Sequence, residues 1–210
     1  MSASRHPVRL LPARLLLGLG LLTLAGCQSL GVAPASPPVL PPAAAANTLT
    51  TWSADGKVSL RYLGQSVSAT YRWTRQGNDY DAEAAGALDQ GHTHVFSRQG
   101  LVTLENAWLG RHQSYDPEQM TLALTGIALP LQNLNAWLTG WPALADTPLL
   151  PPADGAVREF SEAGWDVRVL AEQNVSGYRL PLRMSISNNS DRLLLSIAHW
   201  QPAAATAPSP

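Results

Sequence analysis

Few side chains of this sequence are placed where they could do chemistry. His92 and His94 share one face of a predicted strand, a spacing that two zinc ligands would use. No cysteine of the folded domain and no suitably placed carboxylate completes such a site. Asp79 and Asp81 flank Tyr80 beside a turn, a position more typical of a solvated strand face than of a general acid–base pair. We therefore predict no metal site and no catalytic carboxylate pair.

Motifs of the common enzyme classes are also absent from the sequence. It contains no G-x-S-x-G elbow, no H-E-x-x-H, no phosphate-binding loop and no dinucleotide fingerprint. Its 14 basic residues are balanced by 15 acidic ones and form no basic stripe of the kind that binds nucleic acid. These observations predict a protein that is not an enzyme, needs no cofactor and has no nucleic-acid partner.

The remaining reactive group is the thiol of Cys27, the only cysteine of the chain. It follows three arginines and the apolar residues 15–26, which is the layout of a secretory signal. This apolar run is shorter than the roughly 20 residues that span a bilayer comfortably. The run ends in L-A-G-C, which resembles the bacterial lipoprotein signal. The resemblance implies an S-diacylglycerol on Cys27 and, after cleavage, an N-linked acyl chain.

The residue after the cysteine bears on the destination of the protein. In lipoproteins of this kind an aspartate at that position usually retains the protein in the inner membrane, and this sequence has Gln28 instead. The resemblance therefore implies a lipid-anchored protein of the outer membrane that faces the periplasm.

Composition divides the chain into four segments. We predict a signal peptide over residues 1–26, then the lipidated cysteine and a Pro/Ala-rich tether over residues 27–46, which cannot bury a core. Residues 47–201 have the length of one folded domain, and residues 202–210 are predicted to be a disordered tail. Without the three arginines of the signal, 11 basic residues face 15 acidic ones, so the mature protein is mildly acidic.

Alternation of apolar and polar residues predicts strands through most of the domain. The predicted strands are residues 57–63, 67–75, 79–85, 92–98, 101–106, 165–170, 178–187 and 192–200. Between the fifth and sixth, Asp116 as N-cap and Gly126 as stop predict one helix, and the spacing of Leu131, Leu134 and Leu138 predicts a second. Since there is no βαβ alternation, we predict an α+β fold: a curved antiparallel sheet capped by two loosely held helices.

The seven tryptophans are the most unusual feature of the composition. Trp73, Trp137 and Trp165 each lie on an apolar face of a predicted strand or helix. Core filling explains this placement, and so does a ligand cavity, because such cavities are lined mainly by apolar and aromatic side chains. Sequence patterning leaves both interpretations open.

Several segments together resemble the LolB family of outer-membrane lipoproteins. They are S-A-D-G-K-V-S-L-R-Y, S-A-T-Y-R-W and, most specifically, L-T-G-I-A-L-P-L-Q-N-L-N-A-W-L-T-G-W-P. The resemblance implies an unclosed antiparallel β-barrel whose short helices form a lid over an apolar cavity. It also implies a monomer that accepts lipoprotein cargo from the periplasmic carrier LolA and inserts it into the inner leaflet of the outer membrane.

The resemblance also assigns candidate site residues. The family carries a protruding loop whose exposed leucine passes cargo to the membrane lipid, and aligning residues 84–91 on that loop puts Leu88 at the leucine. Ala87 and Asp89 stand where the family usually has proline and glycine. The side chains that we predict to line an acyl-chain cavity are Tyr71, Trp73, Leu134, Trp137, Leu138, Trp165, Met184 and Ile186.

Two alternatives to this function remain open at the level of sequence. One is an outer-membrane assembly lipoprotein whose domain has a filled core and binds only proteins. The other is a carrier of a different amphiphile, such as lipopolysaccharide or a glycolipid. A cavity beneath the helices would argue against the first alternative.

Overall fold

The computed structural model describes residues 46–152 and 155–203. The predicted signal peptide, Cys27, nearly all of the tether and residues 204–210 lie outside the described residues. None of the helices in the described part of the chain is long and apolar enough to cross a membrane.

Ten antiparallel strands form one sheet, as the predicted fold class requires. The strands are β1 Thr51–Tyr62, β2 Gln65–Gln76, β3 Asp79–Ala85, β4 Thr93–Arg98, β5 Leu101–Asn106, β6 Gly110–Ser114, β7 Arg158–Glu162, β8 Trp165–Val175, β9 Tyr178–Ser187 and β10 Arg192–Pro202. Their order in the sheet is β6-β5-β4-β3-β2-β1-β10-β9-β8-β7. The first and last strands are therefore neighbours in the middle, and β6 and β7 form the two edges. The curved sheet is an unclosed barrel.

Two helices connect the two edge strands. The first, α1, spans Pro117–Thr125, and the second, α2, spans Leu131–Trp137. As predicted, Asp116 caps α1 by accepting a hydrogen bond from the Gln119 backbone N–H at 3.0 Å, and Gly126 ends it in the left-handed conformation. The chain thus leaves one edge of the sheet, forms both helices and returns at the other edge.

The two edge strands β6 and β7 were not predicted. Their sequences are G-R-H-Q-S and R-E-F-S-E, and neither shows the apolar alternation that marked the other strands. Each pairs with one neighbour and has few side chains in the core, so its sequence carries little of the period-two pattern. Their strand conformation follows from pairing with β5 and β8.

The strand register explains why β9 tolerates a proline at position 181. The ladder between β9 and β10 ends at the pair Arg183–Ser196, so Pro181 lies beyond it. On the other side it stands opposite Glu172, next to an irregularity in β8 between Val169 and Glu172. A proline is tolerated at such a bulged, half-free position because its missing N–H breaks no regular ladder. The backbone carbonyl of Pro181 is also hydrogen-bonded, since the Trp200 indole N–H donates to it at 2.8 Å.

Candidate functional site

A cavity of about 590 Å³ lies between the sheet and the helices. This volume falls within the roughly 300–1,000 Å³ that ligand pockets usually have. Strands β1 to β5 and β10 form one wall, and residues of α1, α2 and the segment between them form the other. The wall is almost wholly apolar, with Leu60, Val95, Leu104, Leu131 and Leu195 among its side chains. Such a cavity suits hydrocarbon rather than a polar ligand.

Four of the eight side chains predicted for the cavity wall lie there. They are Tyr71 and Trp73 on β2 and Leu134 and Leu138 at α2. Leu134 and Leu138 are one helical turn apart, so they share a face of the helix and point to the same side. Tyr71 and Trp73 are two residues apart on a strand and share the inner face of the sheet for the same geometric reason.

The other four predicted side chains do not line this cavity, which corrects their placement. Trp137, Trp165, Met184 and Ile186 are at most 5% exposed and belong to the packed core. Trp165, Met184 and Ile186 come from β8 and β9, in the half of the sheet whose inner face is covered by packed core side chains. Period-two alternation identified their inward face correctly but could not show that this half of the interior is solid.

Trp137 is placed by two specific contacts. Its ring packs edge-on against Phe160 of β7 with centroids 6.4 Å apart. Its indole N–H donates to the Glu162 carboxylate, also of β7. Trp137 therefore attaches α2 to the edge of the sheet, and it faces away from the cavity that Leu134 and Leu138 line.

Glu162 is a buried carboxylate that the sequence analysis missed. Besides the Trp137 indole, the backbone N–H groups of Ala143 and Leu144 donate to it at 2.8 and 2.7 Å, and the Thr147 hydroxyl donates at 2.9 Å. Burial alone would raise the pKa of Glu162, but these hydrogen bonds to the ionised form outweigh it and hold the pKa below its usual value. A lone glutamate in a polar strand gives no signal of this role.

A second buried contact fixes α2 to the cavity wall. The Trp73 indole N–H donates to the Asn135 side-chain oxygen at 2.8 Å, and the Trp73 ring stacks on Tyr80 with centroids 5.1 Å apart. Arg75 donates to the Asn135 backbone carbonyl at 3.2 Å. The prediction of two loosely held helices is therefore wrong for α2, because buried hydrogen bonds attach this helix to β2 and to β7.

The cavity reaches one end of the barrel, at the loop between β3 and β4. Gly86, Ala87, Gln90 and Gly91 of this loop line the cavity. Leu88 stands at the tip of the loop with 93% of its surface exposed, at φ 57° in the left-handed region. The structure thus shows the exposed apolar tip that the sequence suggested, beside the mouth of the cavity.

An exposed aromatic side chain that lies at the mouth beside Leu88 was not predicted. Trp108, in the turn between β5 and β6, is 77% exposed and lines the cavity with its neighbour Leu109. Its ring lies against Gly91 so closely that an added Cβ there would come within 2.9 Å of it. The sequence signal, a tryptophan in the turn N-A-W-L-G, was available but could not be distinguished from a core tryptophan.

Asn106 connects the two loops at the mouth. Its side-chain amide donates to the Thr93 hydroxyl at 2.8 Å, next to the Leu88 loop. Its side-chain oxygen accepts from the backbone N–H groups of Trp108 and Leu109 at 2.8 and 3.1 Å. One side chain therefore sets the position of the Trp108 turn relative to the β3–β4 loop.

The titratable groups of the described residues do not form a reactive centre. No group of three or more His, Cys, Asp or Glu residues in this part of the chain is arranged to hold a metal ion. His94 bonds Asp81 at 2.9 Å on the outer face of the sheet, a pair typical of a solvated strand. Burial, and secondarily the charge of Asp55, raises the pKa of Tyr71 above its usual value, so this wall residue is neutral at physiological pH.

Comparison with known proteins decides the family. The family model described as outer membrane lipoprotein LolB matches residues 50–200, which include nine strands completely and both helices. The chain belongs to the LolB family. This membership confirms that the protein is an outer-membrane lipoprotein with a role in lipoprotein localisation, and that it is not an enzyme.

Individual relatives agree with the family match. An outer-membrane lipoprotein LolB of Pseudomonas paraeruginosa is 32% identical over 155 residues, which are 73% of this chain and 76% of the relative. One from Pseudomonas putida is 31% identical over 157 residues, or 74% and 77% of the two chains. Among solved structures, a LolA superfamily protein of Nitrosomonas europaea covers 75% of this chain and 88% of its own, at 11% identity and a TM-score of 0.44. A likeness of that size bears on neither fold nor function.

Proposed function

We propose that the domain takes the acyl chains of a lipoprotein into its cavity and passes them into the inner leaflet of the outer membrane. The cargo comes from a LolA-like periplasmic carrier, and the protein acts as a monomer. The observation that carries the proposal is the apolar cavity of about 590 Å³ that reaches the barrel end with the exposed Leu88. A domain that binds only proteins needs no such space, so the cavity favours a lipid carrier over a filled assembly lipoprotein.

The free energy of acyl chains explains why the cargo must be enclosed during transfer. Each methylene removed from water contributes about 0.8 kcal/mol, so three acyl chains amount to an order of tens of kcal/mol. Cargo that is released into water would therefore not diffuse but aggregate. A direct transfer from one apolar cavity to the next, and then into lipid, avoids this cost and needs no nucleotide.

The lipid of the protein itself has a separate role in this proposal. Cys27 carries the S-diacylglycerol and N-acyl chains that hold the protein on the outer membrane, since two lipid signals suffice for stable anchoring. The anchor keeps the cavity mouth at high local concentration beside the target bilayer. Cargo enters the cavity and the anchor stays in the membrane.

Filling the cavity should test the proposal directly. Ala84 lines the cavity and Ala85 does not, although they are neighbours on β3. We expect Ala84→Phe to weaken binding of the apolar dye phenylnaphthylamine several-fold, because the larger side chain occupies the space. Ala85→Phe is the matched control and should bind the dye like the wild type. The measurement is fluorescence titration of residues 27–210 with Cys27→Ala, which removes the lipid.

The outcome of this titration separates the candidate functions. A wild-type domain that binds no dye would contradict the carrier proposal and favour an assembly lipoprotein. Binding of dye together with crosslinking to a LolA-like carrier supports lipoprotein transfer. Binding of dye without that crosslink would instead favour a carrier of another amphiphile, such as lipopolysaccharide.

A further inference from the structure

The hairpin tips beside the cavity mouth differ in polarity from the tips at the opposite end of the barrel. In an antiparallel meander, alternate turns lie at the same end of the sheet. The turns after β1, β3, β5, β7 and β9 lie at the end that the cavity reaches. The three that flank the cavity, after β1, β3 and β5, have the exposed apolar tips Leu63, Leu88 and Trp108. The other two, at Ala163–Gly164 and at residues 188–191, belong to the half of the sheet around β8 and β9 and have small or polar tips. The turns after β2, β4 and β8 lie at the opposite end, where Asn78, Gln99 and Ser176 occupy the tips.

The leucine at position 63 is unusual for its turn. Leu63–Gly64, Gln99–Gly100 and Ser176–Gly177 are two-residue hairpin turns with nearly the same conformation: φ is 47°, 52° and 49° at the first residue and 75° to 83° at the glycine. Such turns favour small polar residues, and a leucine at positive φ is disfavoured. Leu63 is nevertheless 83% exposed. Neither the backbone nor the core accounts for this leucine, whereas the polar residues at the opposite end suit their turns.

The same end of the barrel carries the mouth of the cavity. Leu60 and Val67 line the cavity and stand opposite each other, three residues from the Leu63–Gly64 turn. Trp108 lines it from the other side of the Leu88 loop. Tryptophan is the side chain most typical of the membrane–water interface, because an apolar ring and a polar N–H occur in one group.

We propose that Leu63 and Trp108 join Leu88 in a three-point contact with the phospholipid surface, so that the mouth end of the barrel faces the membrane. This inference rests on the proposed function and adds the orientation of the domain and two further lipid-contacting residues. Asn106 is a positioning residue in this contact, since it holds the Trp108 turn against the Leu88 loop. The Leu88 loop alone would leave the orientation of the barrel on the bilayer undetermined.

The length of the tether permits this orientation. The described domain begins at the opposite end of the barrel, where Thr51 pairs with Gln76. Strand β1 has 12 residues and spans about 40 Å at roughly 3.3 Å per residue. Residues 28–45 can span up to about 60 Å when extended. The chain can therefore run from a lipid at Cys27 past the barrel, and the anchor does not force the polar end onto the membrane.

Site-specific labelling of the lipidated mature protein tests the contact. Cys27 is the only native cysteine, and in the proposed function its sulfur is in a thioether, so one introduced cysteine is the only reactive thiol. Gln65→Cys places a fluorophore beside the Leu63 turn, and Asn78→Cys places it at the opposite end; both positions are exposed. On vesicles of phosphatidylethanolamine and phosphatidylglycerol with brominated acyl chains, we expect quenching of the label at residue 65 and none at residue 78.

Exchanging residues between equivalent turns at the two ends of the barrel provides a test variant and a matched control. Leu63→Gln recreates the Gln99–Gly100 turn and preserves the backbone, so the double variant Leu63→Gln, Trp108→Gln should still fold. We expect Leu63→Gln alone, whose side chain does not line the cavity, to bind phenylnaphthylamine like the wild type and to weaken the quenching at residue 65. The double variant, which also removes a residue of the cavity mouth, should lose this quenching and deposit cargo into vesicles roughly tenfold more slowly. Gln99→Leu, which adds a leucine at the polar end, should change none of these.

Three results would overturn the inference. The first is equal quenching at residues 65 and 78, and the second is deposition at the wild-type rate by the double variant. The third is protection of the label at residue 65 by a LolA-like carrier but not by vesicles, which would make the mouth end of the barrel a protein-docking surface. A wild-type protein that neither binds dye nor deposits cargo would instead contradict the proposed function. The two failures are therefore distinguishable.

Discussion

Leu88 combines two features that cost free energy in a soluble protein. Its side chain is 93% exposed, and its backbone lies at φ 57° and ψ 32°, in the left-handed region. For a residue with a Cβ this conformation costs roughly 1–2 kcal/mol, and asparagine or glycine would fit better. Asp89 follows in the same region at φ 62°. The loop thus accepts strain that presents a leucine to the surroundings of the cavity mouth.

A charge at position 88 should separate acceptance of cargo from its deposition. We expect Leu88→Glu to bind dye and cargo like the wild type, because this side chain does not line the cavity, but to deposit cargo into liposomes much more slowly, since a carboxylate resists entry into lipid. Leu182→Glu, at a position of β9 that is 39% exposed and does not line the cavity, is the control. Normal deposition by Leu88→Glu in the liposome assay would refute the role of this leucine.

At the scale of elements, α2 behaves as part of the barrel rather than as a free lid. Glu162 at the edge of the sheet binds the Trp137 indole and the chain that follows the helix, and Trp73 binds Asn135 inside the helix. Gly140, at φ 82°, makes the turn after α2, and a Cβ there would come within 2.8 Å of the Arg158 guanidinium. The segment T-G-W-P therefore reflects how the helix is joined to β7 rather than the cavity itself.

The carboxylate of Glu162 should make this junction sensitive to acid. Its pKa is lowered in the folded state, so its contribution to stability is present above the unfolded-state pKa of about 4.3 and is lost as the pH falls through the lower folded value. We expect Glu162→Gln to reduce the free energy of unfolding at pH 7 by about 2–4 kcal/mol, because several hydrogen bonds to a charged acceptor are weakened. Urea unfolding at pH 7, 4 and 3 should show the gap to wild type shrinking with acid.

The neighbouring acidic residue of the same strand provides the control. Glu159 pairs with Arg168 at 3.3 Å in a partly exposed ion pair, which contributes under about 1 kcal/mol. Glu159→Gln should therefore have a small effect at every pH. Equal effects of the two substitutions, or a gap for Glu162→Gln that stays constant to pH 3, would show that Glu162 does not anchor α2 as an ionised group.

At the scale of the whole molecule, one curved sheet serves two purposes. Its half around β8 and β9 packs Trp165, Met184 and Ile186 into a solid core, whereas its half around β2 and β3 leaves a cavity below α1 and α2. Packed side chains supply the stability that an empty interior cannot. The open edges at β6 and β7 give the helices their place, because the connection between these edges crosses the opening of the barrel.

The reach of the tether should matter for deposition and not for binding. Deleting residues 31–44 leaves four residues between Cys27 and Ala46, which span about 14 Å at most, far less than the length of β1. We expect this variant to deposit cargo poorly while its dye binding is unchanged. A Gly/Ser segment of the original length should restore deposition in the vesicle assay. Full activity of the shortened protein would contradict the proposed orientation of the mouth.

The amino-acid sequence by itself determined the elements that local rules specify. Alternation placed eight of the ten strands, Asp116 and Gly126 bounded α1, and the composition of residues 84–91 marked the loop with Leu88 at its tip. The resemblance carried by residues 124–142 indicated the family that the comparison confirmed. These features depend on neighbours in the chain, so a pattern of a few residues is enough to predict them.

Only the tertiary structure decided which apolar faces enclose space and which are filled. Periodicity shows that Trp73 and Trp165 both face inward, but not how far away the opposite wall lies, because that distance depends on helices distant in sequence. It likewise could not show that Trp137 turns to Glu162 while Leu138, one residue and 100° further round the helix, turns to the cavity. The strands β6 and β7 follow the same rule, since pairing rather than their own polar sequence makes them strands.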